Sequence, residues 1–408
     1  MNDFNGVRTL KNDRATMESD NNMGIDNYKR IFGLADCSAA SRSGVSVLTL
    51  ETGAESAGKR KKTVGPGICR KAAVALVILV AVLALMLTAC GSANEKVKNA
   101  MTKESYYFDT ICRISIYNMK NMSDEQAEKA IDGAFRLCAD YEKLLSKTKA
   151  GSDIYRVNHA AGKPVRCDPR TISVIKKGIY YGKISGGDFD ITIGKAEDLY
   201  NFHSENPKVP TKKQLAEAAK YVNYKQIKIN GDNVRMTTKK GEIDLGGIAK
   251  GYIGDRVGEY LQKQGVTSAI VSLGGNIITV GDKGGHPFRI GIEKPFSEQS
   301  EIVGFTEVKD KTVVTSGIYE RYFKKNGKLY HHILIPKTGE PANTDIQGVT
   351  ITAESGRSAD CDALATICQI KGKKKALAFM EKQKGCSALI IDDSGKISKT
   401  ASMDFTAS

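Results

Sequence analysis

Glu242–Val257, EIDLGGIAKGYIGDRV, is the stretch on which the reading of the whole chain turns. Glu242 to Leu245 read as the end of a buried strand and Gly246-Gly247 as the turn. From Ile248 the apolar residues Ile248, Tyr252, Ile253, Val257 and Leu261 recur at helical spacing. A strand that passes through a glycine pair into a helix presents backbone N–H groups at the helix N-terminus, where an anionic group is favoured. Asp244 at the strand end and Lys250 in the first helical turn direct both charges to the same small space. An ordinary strand–turn–helix with a salt bridge would have the same local sequence, so the weight falls on what accompanies it.

Downstream, Val266–Val280 reads as strand, Gly274-Gly275 turn and strand, and 287–335 as several antiparallel strands. A strand at 349–353, helices at about 357–370 and 372–384, and a hairpin of 387–392 with 396–399 follow. Upstream, Tyr106–Tyr117 alternates apolar and polar residues as a strand does. Ser123, with Glu125-Gln126 behind it, opens a helix to about Leu145 whose apolar face carries Ile131, Phe135, Tyr141 and Leu145. Residues 146–162 read as a loop and Pro169–Ile184 as a helix. The Gly-flanked acidic segment GGDFDITIG (186–194) leads to a short helix, a Pro-containing loop at 207–210, a helix at 211–222, and strands near 225–230, 234–238 and 242–245. Strands and helices mix without a βαβ rhythm. The expected class is therefore α+β, one large domain over 105–408 with a mostly antiparallel sheet and packed helices.

The first ninety residues are of another kind. Lys59, Arg60, Lys61, Lys62, Arg70 and Lys71 precede the apolar run Ala72–Cys90, as in an export signal, and the run is also long enough for a membrane span of about 20 residues. Its ending, Leu87-Thr88-Ala89-Cys90 before Gly91-Ser92, resembles a bacterial lipobox, which implies lipidation at Cys90. On this reading 59–89 is a lipoprotein signal peptide and 90–104 a tether, which puts the domain on the extracytoplasmic face of the cell membrane. Residues 1–58, polar and aperiodic, are an unstructured extension or the product of a misassigned start codon, outside the fold.

The chain carries 61 Lys+Arg against 46 Asp+Glu, a net charge of +15, and the first 89 residues hold 12 and 8 of these, which leaves +11 from Cys90 onward. That excess suits an anionic membrane surface or ligand. An exported chain with scattered lysines is not expected to bind nucleic acid. Cys112, Cys138, Cys167, Cys361, Cys368 and Cys386 lie in apolar contexts without CxxC spacing and are expected to be buried thiols.

Asp362 and Thr366 of DALAT stand one helical turn apart, so their oxygens share a face. Carboxylate plus hydroxyl is a hard-oxygen pair suited to Mg²⁺. An Asp on a helix dipole and a Thr in the core would give the same pattern. The adjacent His331-His332 offers a proton acceptor near neutral pH, although a histidine beside a strand is commonly structural. Thr315-Ser316-Gly317 and Gly274-Gly275 are possible anion-cradling turns.

In order, GGDFDITIG, IDLGGIAKGYIGD, SLGGN, TSGIYERYF, HHILIPKTG, VTI and DALAT resemble the ApbE family of FAD:protein FMN transferases over roughly Tyr106–Ile391. The resemblance implies Mg²⁺-dependent cleavage of FAD at its pyrophosphate, with release of AMP. FMN is then attached through its phosphate to a Thr or Ser of an acceptor protein with an FMN-binding domain. It implies Asp362, Thr366 and the Gly247 carbonyl as metal ligands, and His332 as general base. Phe108, Asp188, Phe189, Asp190, Asp244, Lys250 and Ile346 are implied to contact FAD. The chain departs from the family pattern at Ile335, where Asp is usual, at Ile191, where Pro is usual, and in having no Trp. An FAD pyrophosphatase, with water as the attacking group, and a non-catalytic flavin-binding lipoprotein are the competing expectations.

Overall fold

The computed structural model describes residues 100–117, 122–202, 204–297 and 301–408, which fall in one compact unit. In chain order they form β1 (Met101–Tyr107), β2 (Thr110–Ile116), α1 (Asp124–Leu145), α2 (Asp153–His159), β3 (Val165–Arg166), α3 (Pro169–Ile184), α4 (Gly194–Asp198) and α5 (Lys212–Ala219). Then come β4 (Ile227–Asn230), β5 (Asn233–Met236), α6 (Ala249–Lys263), β6 (Ser268–Leu273), β7 (Asn276–Gly281), β8 (Phe288–Glu293), β9 (Ile302–Val308), β10 (Lys311–Gly317), β11 (Tyr322–Lys325) and β12 (Lys328–His331). The chain closes with β13 (Ile346–Glu354), α7 (Ser358–Lys371), α8 (Lys373–Met380), β14 (Cys386–Asp392), β15 (Ile397–Lys399) and β16 (Thr406–Ala407).

The centre is an eight-stranded sheet in the order β1-β2-β6-β7-β10-β13-β14-β15, antiparallel at every pairing. Both of its faces are covered, and the residues show why. Successive side chains on a strand point to opposite faces. Val314, Ile278, Ala388 and Ile390 face the core shared with α1, α6 and α7. Their neighbours Val313, Ile277, Leu389 and Ile391 meet side chains of the small sheet β16-β9-β8. This is the α+β, mostly antiparallel architecture expected. The six cysteines from Cys112 to Cys386 are free and buried.

α6 lies in the core because of its glycines. A Cβ on Gly251 would land on the Ser358 carbonyl, and one on Gly254 on the Ile278 side chain, so only hydrogen allows the helix this close to α7 and β7. α1 is opened by the foreseen capping box: Ser123 Oγ accepts from the Gln126 amide, and Gln126 Oε1 accepts from the Ser123 amide.

Several expectations are corrected. Tyr106–Tyr117 is not one strand but the turn and second strand of a hairpin, reversed at Phe108 and Asp109, both with positive φ. Its first strand begins at Met101 and takes in the end of the expected tether. The loop 146–162 contains α2, capped by Ser152. Glu242–Leu245 is not a strand: it makes one parallel bridge, Ile193 to Glu242, and the Asp244 amide donates to the Ile191 carbonyl at 2.7 Å. Residues 1–58, the signal 59–89 and Cys90 lie outside the described residues. No helix among the described residues is long and apolar enough to cross a membrane.

Candidate active site

Two helices that lack caps of their own build the site. Neither Ile248, before α6, nor Arg357, before α7, makes a side-chain cap. Each helix is capped by an aspartate of the other. Asp255 of α6 accepts from the Ser358 and Ala359 amides at 2.9 and 3.3 Å, and Asp362 of α7 accepts from the Gly251 amide at 3.0 Å. First-turn N–H groups have no intrahelical partner, so both carboxylates meet needs that the sequence leaves open. Asp362 is thereby fixed at the mouth of α6, beside the Gly246-Gly247 turn.

The turn opens on a concave cleft, the kind of place in which small-molecule and cofactor sites form. Asp188, Phe189, Asp190, Asp244, Gly247, Lys250, His332, Asp362 and Thr366 all line it. Phe108 and Ile346 do not. Phe108 occupies the β1–β2 turn, where its amide donates to Glu142 Oε1 at 2.8 Å, and Ile346 is buried at the start of β13.

The acidic residues play different parts. Asp190 is buried and accepts from the Thr192 amide, the Thr192 hydroxyl and the Tyr224 amide at 2.9, 2.6 and 2.8 Å, so it shapes the loop. Asp188 pairs with Lys371 at 2.6 Å. Asp244 does not pair with Lys250: its partner is Lys147, at 3.0 Å, which also reaches Glu197 and Asp198 at 3.3 and 2.8 Å. Burial alone would raise the Asp244 pKa, but Lys147 holds it well below the ordinary carboxylate range. Glu197, desolvated and beside that charge, has its pKa pushed up. Lys250 therefore points its charge into the cleft without an ion pair among the described residues.

The histidines separate cleanly. His331 is buried, and its Nε2 donates to the Ala342 carbonyl at 3.0 Å, away from the cleft. His332 lines the cleft, with Nδ1 3.3 Å from the Arg321 carbonyl. A proton on Nδ1 makes that contact a hydrogen bond, orients the ring and leaves Nε2 with a lone pair. Burial, with Arg321 and Lys250 nearby, lowers the His332 pKa to about 3, so the ring is neutral.

Asp362, Thr366 and Gly247 line the cleft together, and a carboxylate, a hydroxyl and a backbone carbonyl are oxygens that could hold a small hard cation. Asp362 is 3% exposed, its pKa raised by burial and moderated by Lys250. A Cβ on Gly247 would sit 3.1 Å from the Phe189 ring and 3.5 Å from Thr366 Oγ1, so the glycine keeps the space between turn and helix clear. No group of three or more His, Cys, Asp or Glu among the described residues could hold a metal. A cation here therefore relies on hydroxyl, carbonyl and ligand oxygens as well. Ser316, of the expected anion-cradling turn, lines the cleft too; Glu320, Arg321 and Glu197 also line it and escaped sequence reading, as did Lys147 behind it. The TSGIYERYF segment signalled an anion cradle without indicating its charged members. Lys147, in a Ser/Lys-rich loop, gave no signal.

The ApbE family model matches residues 108–390. An FAD:protein FMN transferase of Treponema pallidum (strain Nichols) is 31% identical over 330 residues, covering 76% of this chain and 90% of that protein. Another, from Vibrio cholerae, is 31% identical over 274 residues, 66% of this chain and 81% of its own. The structure of the ApbE protein from Thermotoga maritima matches with a TM-score of 0.68 at 29% identity, covering 74% of this chain and 97% of that one. Flavin transferase ApbE from Vibrio cholerae matches at 0.66 and 28%, covering 74% and 98%.

Proposed function

The chain belongs to the ApbE family, and we propose that it is an FAD:protein FMN transferase that depends on Mg²⁺ and works from a lipid anchor on the outer face of a membrane. FAD is the substrate. The bond between its two phosphates breaks, AMP leaves, and the FMN phosphorus bonds to a Thr or Ser hydroxyl of an acceptor protein. What supports this most is one convergence: Asp362, Thr366 and Gly247 meet in the same cleft as Lys250 and His332.

Asp362, Thr366 and the Gly247 carbonyl would hold the ion. Magnesium, when bound, supplies charge neutralisation on the pyrophosphate oxygens. Lys250 adds a fixed positive charge for the phosphates, and the Phe189 ring and Gly247 shape the wall beside them. His332 Nε2 takes the proton from the attacking hydroxyl, which is a poor nucleophile without a base. Its basicity is held down by burial and by Arg321 and Lys250. An anionic substrate between those cations offsets their effect and brings the imidazole toward the range that a base needs.

The anchor rests on Cys90 and its lipobox-like setting, and a Cys90→Ser chain that leaves the membrane fraction supports it. The transfer reading is tested by incubating the chain with FAD, Mg²⁺ and a candidate FMN-domain acceptor, then denaturing the acceptor. Flavin fluorescence that stays on the denatured acceptor establishes transfer. Free FMN and AMP in its place reassign the site to hydrolysis.

A further inference from the structure

The ribbon β11–β12 stands at the edge of the cleft as a sheet of its own, with neither outer edge paired to another strand among the described residues. Its two ends close at the site, since Arg321 and His332 line the cleft and the His332 amide donates to the Arg321 carbonyl at 3.1 Å. The far end turns at Asn326-Gly327 and carries Lys324, Lys325 and Lys328, all exposed. Phe323 and Tyr330 stack at 5.2 Å on the inner side and pack with Leu215 of α5 and Leu334, so ribbon, helix and the 334–340 turn share one small core. Between α5 and that turn runs an open groove floored by Leu215, Ala216 and Ala219 and edged by Lys212 and Lys337. None of these five lysines forms an ion pair among the described residues.

On the transferase reading, we infer that this flank docks the acceptor protein through an acidic segment beside the hydroxyl that receives FMN. Charge complementarity selects the partner: three unneutralised lysines crown the ribbon, and two more, Lys212 and Lys337, edge the neighbouring groove, whose lining holds Lys220 and a single acidic residue, Glu340. An anionic membrane would suit the charges too. Laid across a ribbon whose base lines the cleft, however, it would cover the entrance through which the hydroxyl must arrive. Surface charges of this kind act mainly on encounter rate and salt dependence.

The test uses the full chain in detergent and two charge-reversed variants, Lys324→Glu/Lys325→Glu/Lys328→Glu and Lys212→Glu/Lys337→Glu. It measures flavin transfer to an FMN-domain acceptor, and anisotropy of a labelled 20-residue peptide with one Thr among Asp and Glu, against the same peptide with Asn and Gln. The expected result is an acceptor KM raised about tenfold in each variant, kcat and FAD binding unchanged, and preference of the wild type for the acidic peptide that added salt abolishes. An acceptor KM equal to wild type in both variants, or equal binding of the two peptides, overturns the docking surface and leaves the transferase reading standing. Loss of binding to phosphatidylglycerol vesicles with acceptor KM unchanged also overturns it and assigns the flank to the membrane. Failure of the wild type to transfer flavin to any acceptor overturns the transferase reading, and the docking surface with it.

Discussion

Asp362 Oδ2 accepts a hydrogen bond of 3.0 Å from the Gly251 amide, so the carboxylate proposed to hold the metal is also the cap of a neighbouring helix. The two roles can be separated. Asp362→Asn keeps an oxygen that accepts from Gly251 and removes the charge. It should fold with near-normal stability while losing Mg²⁺-dependent transfer. Asp362→Ala leaves a buried N–H unpaired as well, at a further cost of about 1–3 kcal/mol. Denaturant unfolding of both variants, alongside transfer assays, checks this; wild-type transfer by the Asn variant would remove Asp362 from the metal site.

Gly247→Ala tests the cleared space. Its new methyl meets Phe189 at 3.1 Å and Thr366 Oγ1 at 3.5 Å, contacts that small shifts accommodate. Stability should fall by about 1 kcal/mol or less, while the Mg²⁺ concentration for half-maximal activity rises several-fold. Gly251→Ala has no such relief, because backbone stands in its way. It should destabilise the fold by about 2 kcal/mol or more and displace Asp362 with α6.

Lys147→Met strips Asp244 of its partner. The side chains of the pair are 18% and 14% exposed, so breaking it is expected to cost about 3 kcal/mol. KM for FAD should rise, and Lys147→Met/Asp244→Asn should recover part of the stability. A double-mutant cycle with no coupling would show that Asp244 is held by other means.

Acid should unfold the protein through its two adjacent histidines. The His331 and His332 pKa values are lowered to about 4 and about 3, His331 by burial and His332 by burial with Arg321 and Lys250 adding to it. The unfolded chain takes up these protons first, near pH 6.5. The stabilisation is therefore complete above that pH and is lost as pH falls from 6.5 toward 4 and 3, by at most about 1.4 kcal/mol per unit for each ring. Urea midpoints measured from pH 7 to pH 4.5 should drop, and His331→Gln should flatten the profile by one histidine's share.

His332→Ala should bind FAD with little change and transfer flavin ~10²–10⁴-fold more slowly, the usual contribution of a placed base. If His331→Ala is the slow variant instead, the assignment within the pair is reversed.

Local rules wrote much of this molecule into its sequence. Periodicity gave α1, α3, α6 and α7, the Ser123 box gave a helix start, and motif order gave the family, because each depends on residues close together in the chain. Where pairing had to be known, local rules failed: Phe108-Asp109 reads as strand until β1 is seen beside β2, and Glu242–Leu245 is too short to reveal that it makes a single bridge. Asp244 illustrates the limit best. Its neighbour in sequence is Lys250, yet its ion pair is with Lys147, from the loop after α1, and no spacing rule reaches across that distance. The sequence by itself determined which residue types were available for the chemistry, since Asp362 and Thr366 share a helix face whatever surrounds them. Only the tertiary structure decided which charges remain free to act, because burial and ion pairing belong to the packed chain: Glu197 and Asp244 share Lys147, Asp190 shapes its own loop, and Lys250 is left facing the cleft.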